Sequence, residues 1–206
     1  MNNNELFPII NEQGEVIGKA TRHECHSGSK LLHPVVHLHI FNARGELYLQ
    51  KRSLNKDIQP GKWDTAVGGH IDYGEDVHHA LLREAREELD FTNFTPHHLF
   101  SYIFESDRER EMINAFVTTT TLDSFAYAPE EVDDGKFWSL QEINDAIGKG
   151  ILTPNFEMEF AKLSLSPRIH IYYYKYIPYQ VKILLFEPFF QLYFEIKQQI
   201  FGTFAK

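Results

Sequence analysis

Short apolar runs punctuated by turn residues dominate the chain, and only a few stretches switch to a helical period. Leu6–Ile10 is apolar, Asn11, Glu12, Gln13 and Gly14 are turn-prone, and Val16, Ile17 and Gly18 resume the run, which predicts a hairpin. A polar, histidine-bearing stretch covers residues 21–30. Residues 34–41 and 46–52 alternate in the manner of strands around a turn at residues 42–45. A loop over 57–61 ends in Pro60-Gly61, and a strand is expected from Trp63 to Val67, with Gly68 and Gly69 breaking the pattern. From Asp76 to Leu89 no helix breaker intervenes, and Val77, Ala80, Leu81, Ala85 and Leu89 recur at helical spacing, so this segment is an amphipathic helix. Strand-like runs follow at 99–105, 112–122 and 136–138. Ser139 and Glu142 carry the capping-box spacing and open a helix to about Ile147, with a further short helix over 154–163. Strands with one helix embedded among them predict an α+β fold, an α/β/α sandwich on a mixed sheet.

The chain has 206 residues, enough for one domain with an appendage, so a domain over 1–165 and an extension over 166–206 are expected. The extension is crowded with Tyr and Phe, poor in carboxylates and broken by Pro178 and Pro188. A helical segment packed on the domain or on a second subunit, in a homodimer, is the leading reading. A membrane-surface segment is disfavoured by sparse basic residues, and a tail whose composition has no functional explanation, including one foreign to the rest of the gene, is the remaining alternative. A net charge of −9 argues against a nucleic-acid backbone as partner. It is compatible with a phosphorylated small molecule if a cation lies between. Cys25 is the only cysteine, which excludes an internal disulfide or a thiolate metal cage. The start lacks a basic region and a long apolar run, and no uncharged apolar stretch is long enough to span a bilayer, so no membrane partner and a cytoplasmic location are expected.

The informative stretch runs from Gly69 through Glu75 to Arg83, Glu84, Ala85, Arg86, Glu87, Glu88, Leu89 and Asp90. On a helix Glu84, Glu87 and Glu88 are related by i, i+3 and i+4 and gather on one face. Like charges so placed repel by a few tenths of a kcal/mol per pair. A divalent cation resolves the conflict, and an oxygen-only ligand set suits Mg²⁺ or Mn²⁺. Glycines at 68, 69 and 74 let the backbone turn sharply and a phosphate come close. Arg83 is placed to pair with Glu75. A run of Glu and Arg is usually a solvated helix face. However, six specified residues at fixed offsets match by chance on the order of once in ten million start positions.

The segment resembles the Nudix box, G-x5-E-x7-R-E-U-x-E-E-x-G-U, with every charged position kept. Ala85 is small for an aliphatic position, and Asp90 replaces a glycine, where it must take the left-handed conformation less comfortably. The resemblance implies a loop–helix–loop metal site in which Glu84, Glu87 and Glu88 hold Mg²⁺, supported by Glu75 and Arg83, while water attacks a diphosphate.

A second resemblance covers most of residues 5–145. Gln50-Lys51-Arg52-Ser53, Lys56-Asp57, Pro60-Gly61-Lys62-Trp63 and Gly69-His70, with His26, His33 and residues 41–47, are similar to the isopentenyl-diphosphate isomerase branch. That branch implies a metal held by His26, His33, His70, Glu109 and Glu111. It also implies a catalytic cysteine before the Gly-His pair, where this chain has Gly68, which can neither donate nor accept a proton. An intact acidic helix without that thiol favours hydrolysis of a nucleoside diphosphate derivative or other small diphosphate. The catalytic residues are then Glu84, Glu87, Glu88 and Glu111, with the base Glu87, Glu88 or Glu111, and Lys51, Arg52, Lys56 and Gly69 are the candidate substrate contacts. Isomerase activity and a non-catalytic ligand sensor are the alternatives.

Overall fold

The computed structural model describes residues 4–56, 58–127 and 132–165. The expected extension over 166–206 lies outside the described residues. The sandwich is present. Among the described residues nine strands and four helices occur in the order β1 (Leu6–Ile10), β2 (Val16–Thr21), α1 (Arg22–Cys25), β3 (Leu32–Asn42), β4 (Leu47–Arg52), β5 (Trp63–Thr65), β6 (Val67–His70), α2 (Val77–Leu89), β7 (His97–Glu105), β8 (Arg110–Thr120), β9 (Val132–Trp138), α3 (Leu140–Ala146) and α4 (Pro154–Leu165).

The main sheet has seven strands and is mixed. Its centre is β3, parallel to β8 over its whole length and antiparallel to β6. All 11 residues of β3 are buried, because both faces of the sheet are covered. Alternation divides them. Val36, Leu38 and Ile40 meet Ala80, Leu81, Ala85 and Leu89 of α2, whereas Phe41 joins Leu140 and Ile143 of α3 and Phe156 and Phe160 of α4. A fully buried Leu of this kind contributes about 1.5–3 kcal/mol. The small Ala85 fits because it is sealed against the sheet. The α2 helix starts on Asp76, whose side chain accepts from the His78 and His79 amides. It ends on Asp90 at φ 49°, ψ 32°, the left-handed cap position.

Three expectations need correction. The strand expected from Trp63 to Val67 is two strands: β5 pairs with β4, and β6 turns at Ala66 to pair with β3, running through Gly68 and Gly69 rather than stopping there. The polar stretch after Thr21 contains α1, opened by a Thr21–Glu24 capping box. The third strand run is β9, which starts at Val132 and lies against β4. The β1–β2 hairpin forms a separate two-stranded sheet. Phe7, Ile9, Ala20 and Cys25 make a small core beneath it.

The α4 face also holds charge. Glu159 is fully buried, with Oε2 2.6 Å from His37 Nδ1 and Oε1 2.9 Å from His39 Nε2. Burial opposes charge on His37, but Glu159 outweighs it and lifts the imidazole to about 9. Burial likewise opposes charge on Glu159, and the two histidines hold its carboxyl far below the carboxylate range. His37 thus contributes stability that is full below its ordinary value of 6.5 and is lost as pH rises through about 9. The melting temperature should fall over that interval, and Glu159→Gln should flatten the slope. Glu159→Ala should cost about 3–5 kcal/mol in chemical denaturation, since it strands a buried cation.

Candidate active site

The acidic residues of α2 do not form one undivided cluster. Arg83 stands among them: its Nε and Nη2 donate to the two Glu75 oxygens at 3.0 and 2.9 Å, and Nη1 donates to Glu84 at 2.8 Å and Glu87 at 3.3 Å. Nη2 also donates to the His70 carbonyl at 2.9 Å, which ties the helix to β6. The expected repulsion between Glu84 and Glu87 is therefore relieved within the protein. A guanidinium on the same helix already compensates Glu84 and Glu87, without any added ion.

Glu88 is different. It is buried, accepting from Gln50 Nε2 at 3.1 Å and from the Gly68 amide at 3.3 Å. Burial, reinforced by the charge of Glu84, pushes its carboxyl up to about 8. Burial also raises Glu84, against the pull of Arg83. Gly69 leaves room for the Glu84 side chain as placed: a Cβ on it would fall 2.0 Å from the Glu84 carboxyl carbon and displace it. A cleft of about 390 Å³ opens above these groups, lined among others by Glu84, Glu87, Glu88, Lys56, Gly69 and Arg22. Burial and the neighbouring Arg52 lower Lys56 to about 8.

Two of the four candidate substrate contacts, Lys56 and Gly69, line this cleft; Lys51 and Arg52 do not. Arg52 is engaged by the Ile58 carbonyl at 3.1 Å and by Asp64 at 3.3 Å. Arg22 and Gln50 escaped the sequence reading. The capping box at Thr21 was the available sign for Arg22, because it fixes the residue that follows the cap.

The second cluster forms where α1, β3, β6 and β8 meet. His26, His33, His70 and Glu111 each offer a ligand atom, and these atoms lie within 4.8 Å of one another. Glu109 stands beside them, 3.8 Å from His26 Nε2, and is outside that group of four. The β3–β8 register sets His33 opposite Glu111, and the β3–β6 register brings in His70. Phe7 forms the floor, its ring stacked 4.3 Å from His70. Burial lowers His26 to about 3 and His70 to about 4, so both are neutral near pH 7. Burial opposes charge on Glu111, yet its contact with His70 and the surrounding imidazoles holds it ionised. Burial and the charge of Glu111 raise Glu109 to about 7.

The donor set fits a divalent cation. His33 gives its Nδ1 proton to the Leu31 carbonyl at 2.9 Å, which leaves the Nε2 lone pair buried and without a partner. His70 is held differently. A guanidinium only donates, so Arg22 at 3.3 Å from Nδ1 places the imidazole proton on Nε2, which faces His26 Nε2 at 3.0 Å. Binding an ion through His70 Nε2 therefore requires Arg22 to release Nδ1.

A mixed-sheet sandwich with a glycine loop, a Glu75–Arg83 clamp and glutamates on the following helix is the loop–helix–loop site of the Nudix fold. Residues 31–156 match the family model for the NUDIX domain. The chain belongs to the NUDIX domain family, in a branch related to isopentenyl-diphosphate isomerase. It is 33% identical over 81% of its length to an uncharacterized Nudix hydrolase of Listeria innocua, covering 99% of that protein. It is 38% identical over 43% of its length to the isopentenyl-diphosphate Delta-isomerase of Citrobacter koseri, spanning 50% of that enzyme. Among solved structures, a Deinococcus radiodurans protein superposes with a TM-score of 0.68 at 23% identity, covering 77% of this chain and 98% of the other.

Glu88 must ionise to hold a cation, so binding of Mg²⁺ at pH 7 should expel about one proton, measurable by calorimetry in buffers of different ionisation enthalpy. Because the Glu88 carboxyl lies at about 8, Mg²⁺ affinity should weaken below that pH, approaching about tenfold per unit. Affinity independent of pH between 6 and 8 would place the ion away from Glu88.

Proposed function

We propose that the chain is a Mg²⁺- or Mn²⁺-dependent hydrolase that cleaves the diphosphate linkage of a nucleoside diphosphate derivative or another small diphosphate. The observation that carries this reading is Glu88: a buried carboxyl, oriented by Gln50 and the Gly68 amide, at the floor of a cleft that also holds Glu84, Glu87 and Lys56. Glu84 and Glu88 would hold the ion. A divalent cation in that position neutralises the diphosphate and makes ionisation of water easier. Lys56 and Arg22 line the same cleft and would bind the diphosphate oxygens. Glu87, half-exposed at the rim, would take the proton of the attacking water. The second cluster would bind a further divalent cation through His26, His33, His70 and Glu111, with Glu109 beside it.

Isomerisation is disfavoured at one position. Gly68 presents no group able to move a proton, and Cys25 is buried in the hairpin core with its thiol pushed up by burial to about 11.

Purified protein with Mg²⁺ should release product from at least one class among nucleotide sugars, dinucleotides, nucleoside triphosphates and prenyl diphosphates. Glu88→Gln should lower kcat on the order of 100-fold or more and weaken Mg²⁺ binding. Glu87→Gln should lower kcat while leaving Mg²⁺ affinity near that of the parent. In D₂O, isopentenyl diphosphate should take up no deuterium. Absence of turnover across the panel with metal bound would remove the hydrolase reading and favour a ligand sensor.

A further inference from the structure

His37 is a polar group that the hydrolytic machinery leaves unused. Period-two alternation along β3 puts it on the same face as His33, and β3–β6 pairing sets it opposite Gly68. Its ring is held from one side only. Nδ1 lies 2.6 Å from Glu159, and that carboxylate is itself fixed by His39 at 2.9 Å and by the Tyr102 hydroxyl at 3.2 Å. The Tyr102 hydroxyl also lies 3.0 Å from Asn155 Oδ1, so its single proton serves one of two acceptors at a time. These contacts hold the Glu159 carboxylate in place, and through Nδ1 they fix the direction of the opposite ring atom, Nε2.

Nε2 makes no hydrogen bond among the described residues, and His37 keeps 8% of its surface exposed. Gly68 leaves that edge uncovered: a Cβ there would lie 3.4 Å from His37 Cδ2 and 3.5 Å from Nε2. The same glycine borders the catalytic cleft. Its amide donates to Glu88 at 3.3 Å, and the next residue, Gly69, lines the cleft wall. Residue 68, being glycine, sets no side chain of its own between a molecule anchored by its diphosphate above Glu88 and the His37 ring.

We infer that His37 is a specificity residue: the organic arm of the substrate crosses β6 at Gly68 and presents an oxygen to His37 Nε2, with Glu159 as the positioning residue. This deepens the hydrolase reading and rests on it. The substrate class follows from the chemistry of the contact. A sugar or nucleoside arm carries hydroxyl and ring oxygens that can meet the imidazole. A prenyl arm carries none and would desolvate His37 without replacing the lost water. Sites built to hydrogen-bond a substrate oxygen reject analogues that lack it far more strongly than apolar pockets discriminate by size. The lift of His37 to about 9 makes Nε2 a donor near neutral pH.

The test compares kcat/KM with Mg²⁺ for ADP-ribose, UDP-glucose and ATP against dimethylallyl diphosphate. The parent protein should prefer its best nucleotide probe over dimethylallyl diphosphate by about 100-fold or more. Gly68→Ala leaves Glu159 and His37 in place but sets a methyl on the open ring edge at ordinary contact distance. It should raise KM for that nucleotide at least tenfold while KM for dimethylallyl diphosphate, which carries no oxygen for His37, changes far less. His37→Leu should cut the nucleotide preference at least tenfold, and His37→Gln, which keeps a polar group, should restore part of it. An unchanged preference in folded Gly68→Ala and His37→Leu proteins would overturn the inference and leave the Glu159 set as a tie between α4 and the sheet. A parent protein that prefers the prenyl probe would also overturn it. Failure of the parent to cleave any diphosphate is the distinct result that removes the hydrolase reading and this inference with it.

Discussion

Strand β6 is the constraint on which the site depends. It is four residues long, and each of the last three is committed to a different neighbour. Gly69 yields the volume of its missing side chain to the Glu84 carboxyl, which a Cβ would meet at 2.0 Å. Gly68 faces the other way, against His37, while its amide supports Glu88. His70 gives its ring to the histidine cluster and its carbonyl to Arg83. Because side chains alternate along a strand, no other register distributes these contacts. A one-residue slip would set Gly68 against α2 and drive His70 into the helix carboxylates.

Electrostatics then divides the carboxylates into two kinds. Glu75, Glu84 and Glu87 share one guanidinium, in contacts of 2.8–3.3 Å that are at most partly buried. Such pairs are each worth up to about 1 kcal/mol and mainly fix geometry. Glu88 has no guanidinium. It is buried against two neutral donors, and a lone buried charge costs several kcal/mol, so its carboxyl holds its proton near neutral pH. Glu88 is thus the carboxylate that the protein's own charges compensate least, while Arg83 already relieves the mutual repulsion of the other helix glutamates. The histidine cluster follows the same rule from the opposite sign: burial strips His26 and His70 of charge, while the Nδ1 contact of His33 with the Leu31 carbonyl turns its unpartnered Nε2 toward the cluster.

Much of the frame was legible in the sequence because local pattern and tertiary burial agree there. The apolar stripe at Val77, Ala80, Leu81, Ala85 and Leu89 is the face α2 buries, and the alternation around residues 34–41 is the two-sided core strand. Asp90 takes the left-handed cap that its place after Leu89 demands. Gly68 and Gly69 misled, since glycine in a strand reads as a break when only local propensity is considered. Their reason is long-range: Glu84 and His37 occupy the space on either side. The partner of Glu159 was illegible for the same cause, for 122 residues separate it from His37 and nothing in either neighbourhood marks the pairing. Arg22 was missed because its tie to His70 bridges 48 residues. Charge periodicity on α2 showed which glutamates share a face, but not that Arg83 enters between two of them.

The substitution that separates this chain from isomerase chemistry is also the one that opens the far side of the sheet. At the position where the related isomerase pattern has a cysteine, a thiol would stand directly over the His37 ring, as any Cβ at residue 68 must. Glycine removes the proton-moving group and uncovers the imidazole in a single change. The surrounding residues suit the second consequence. An apolar neighbour at residue 37 would have been enough to line a hydrocarbon pocket, yet the sheet places there a histidine braced by a buried carboxylate, which is costly to desolvate unless something polar arrives. The acidic helix explains how a diphosphate can be held, and the polar set beneath Gly68 bears on what is attached to it.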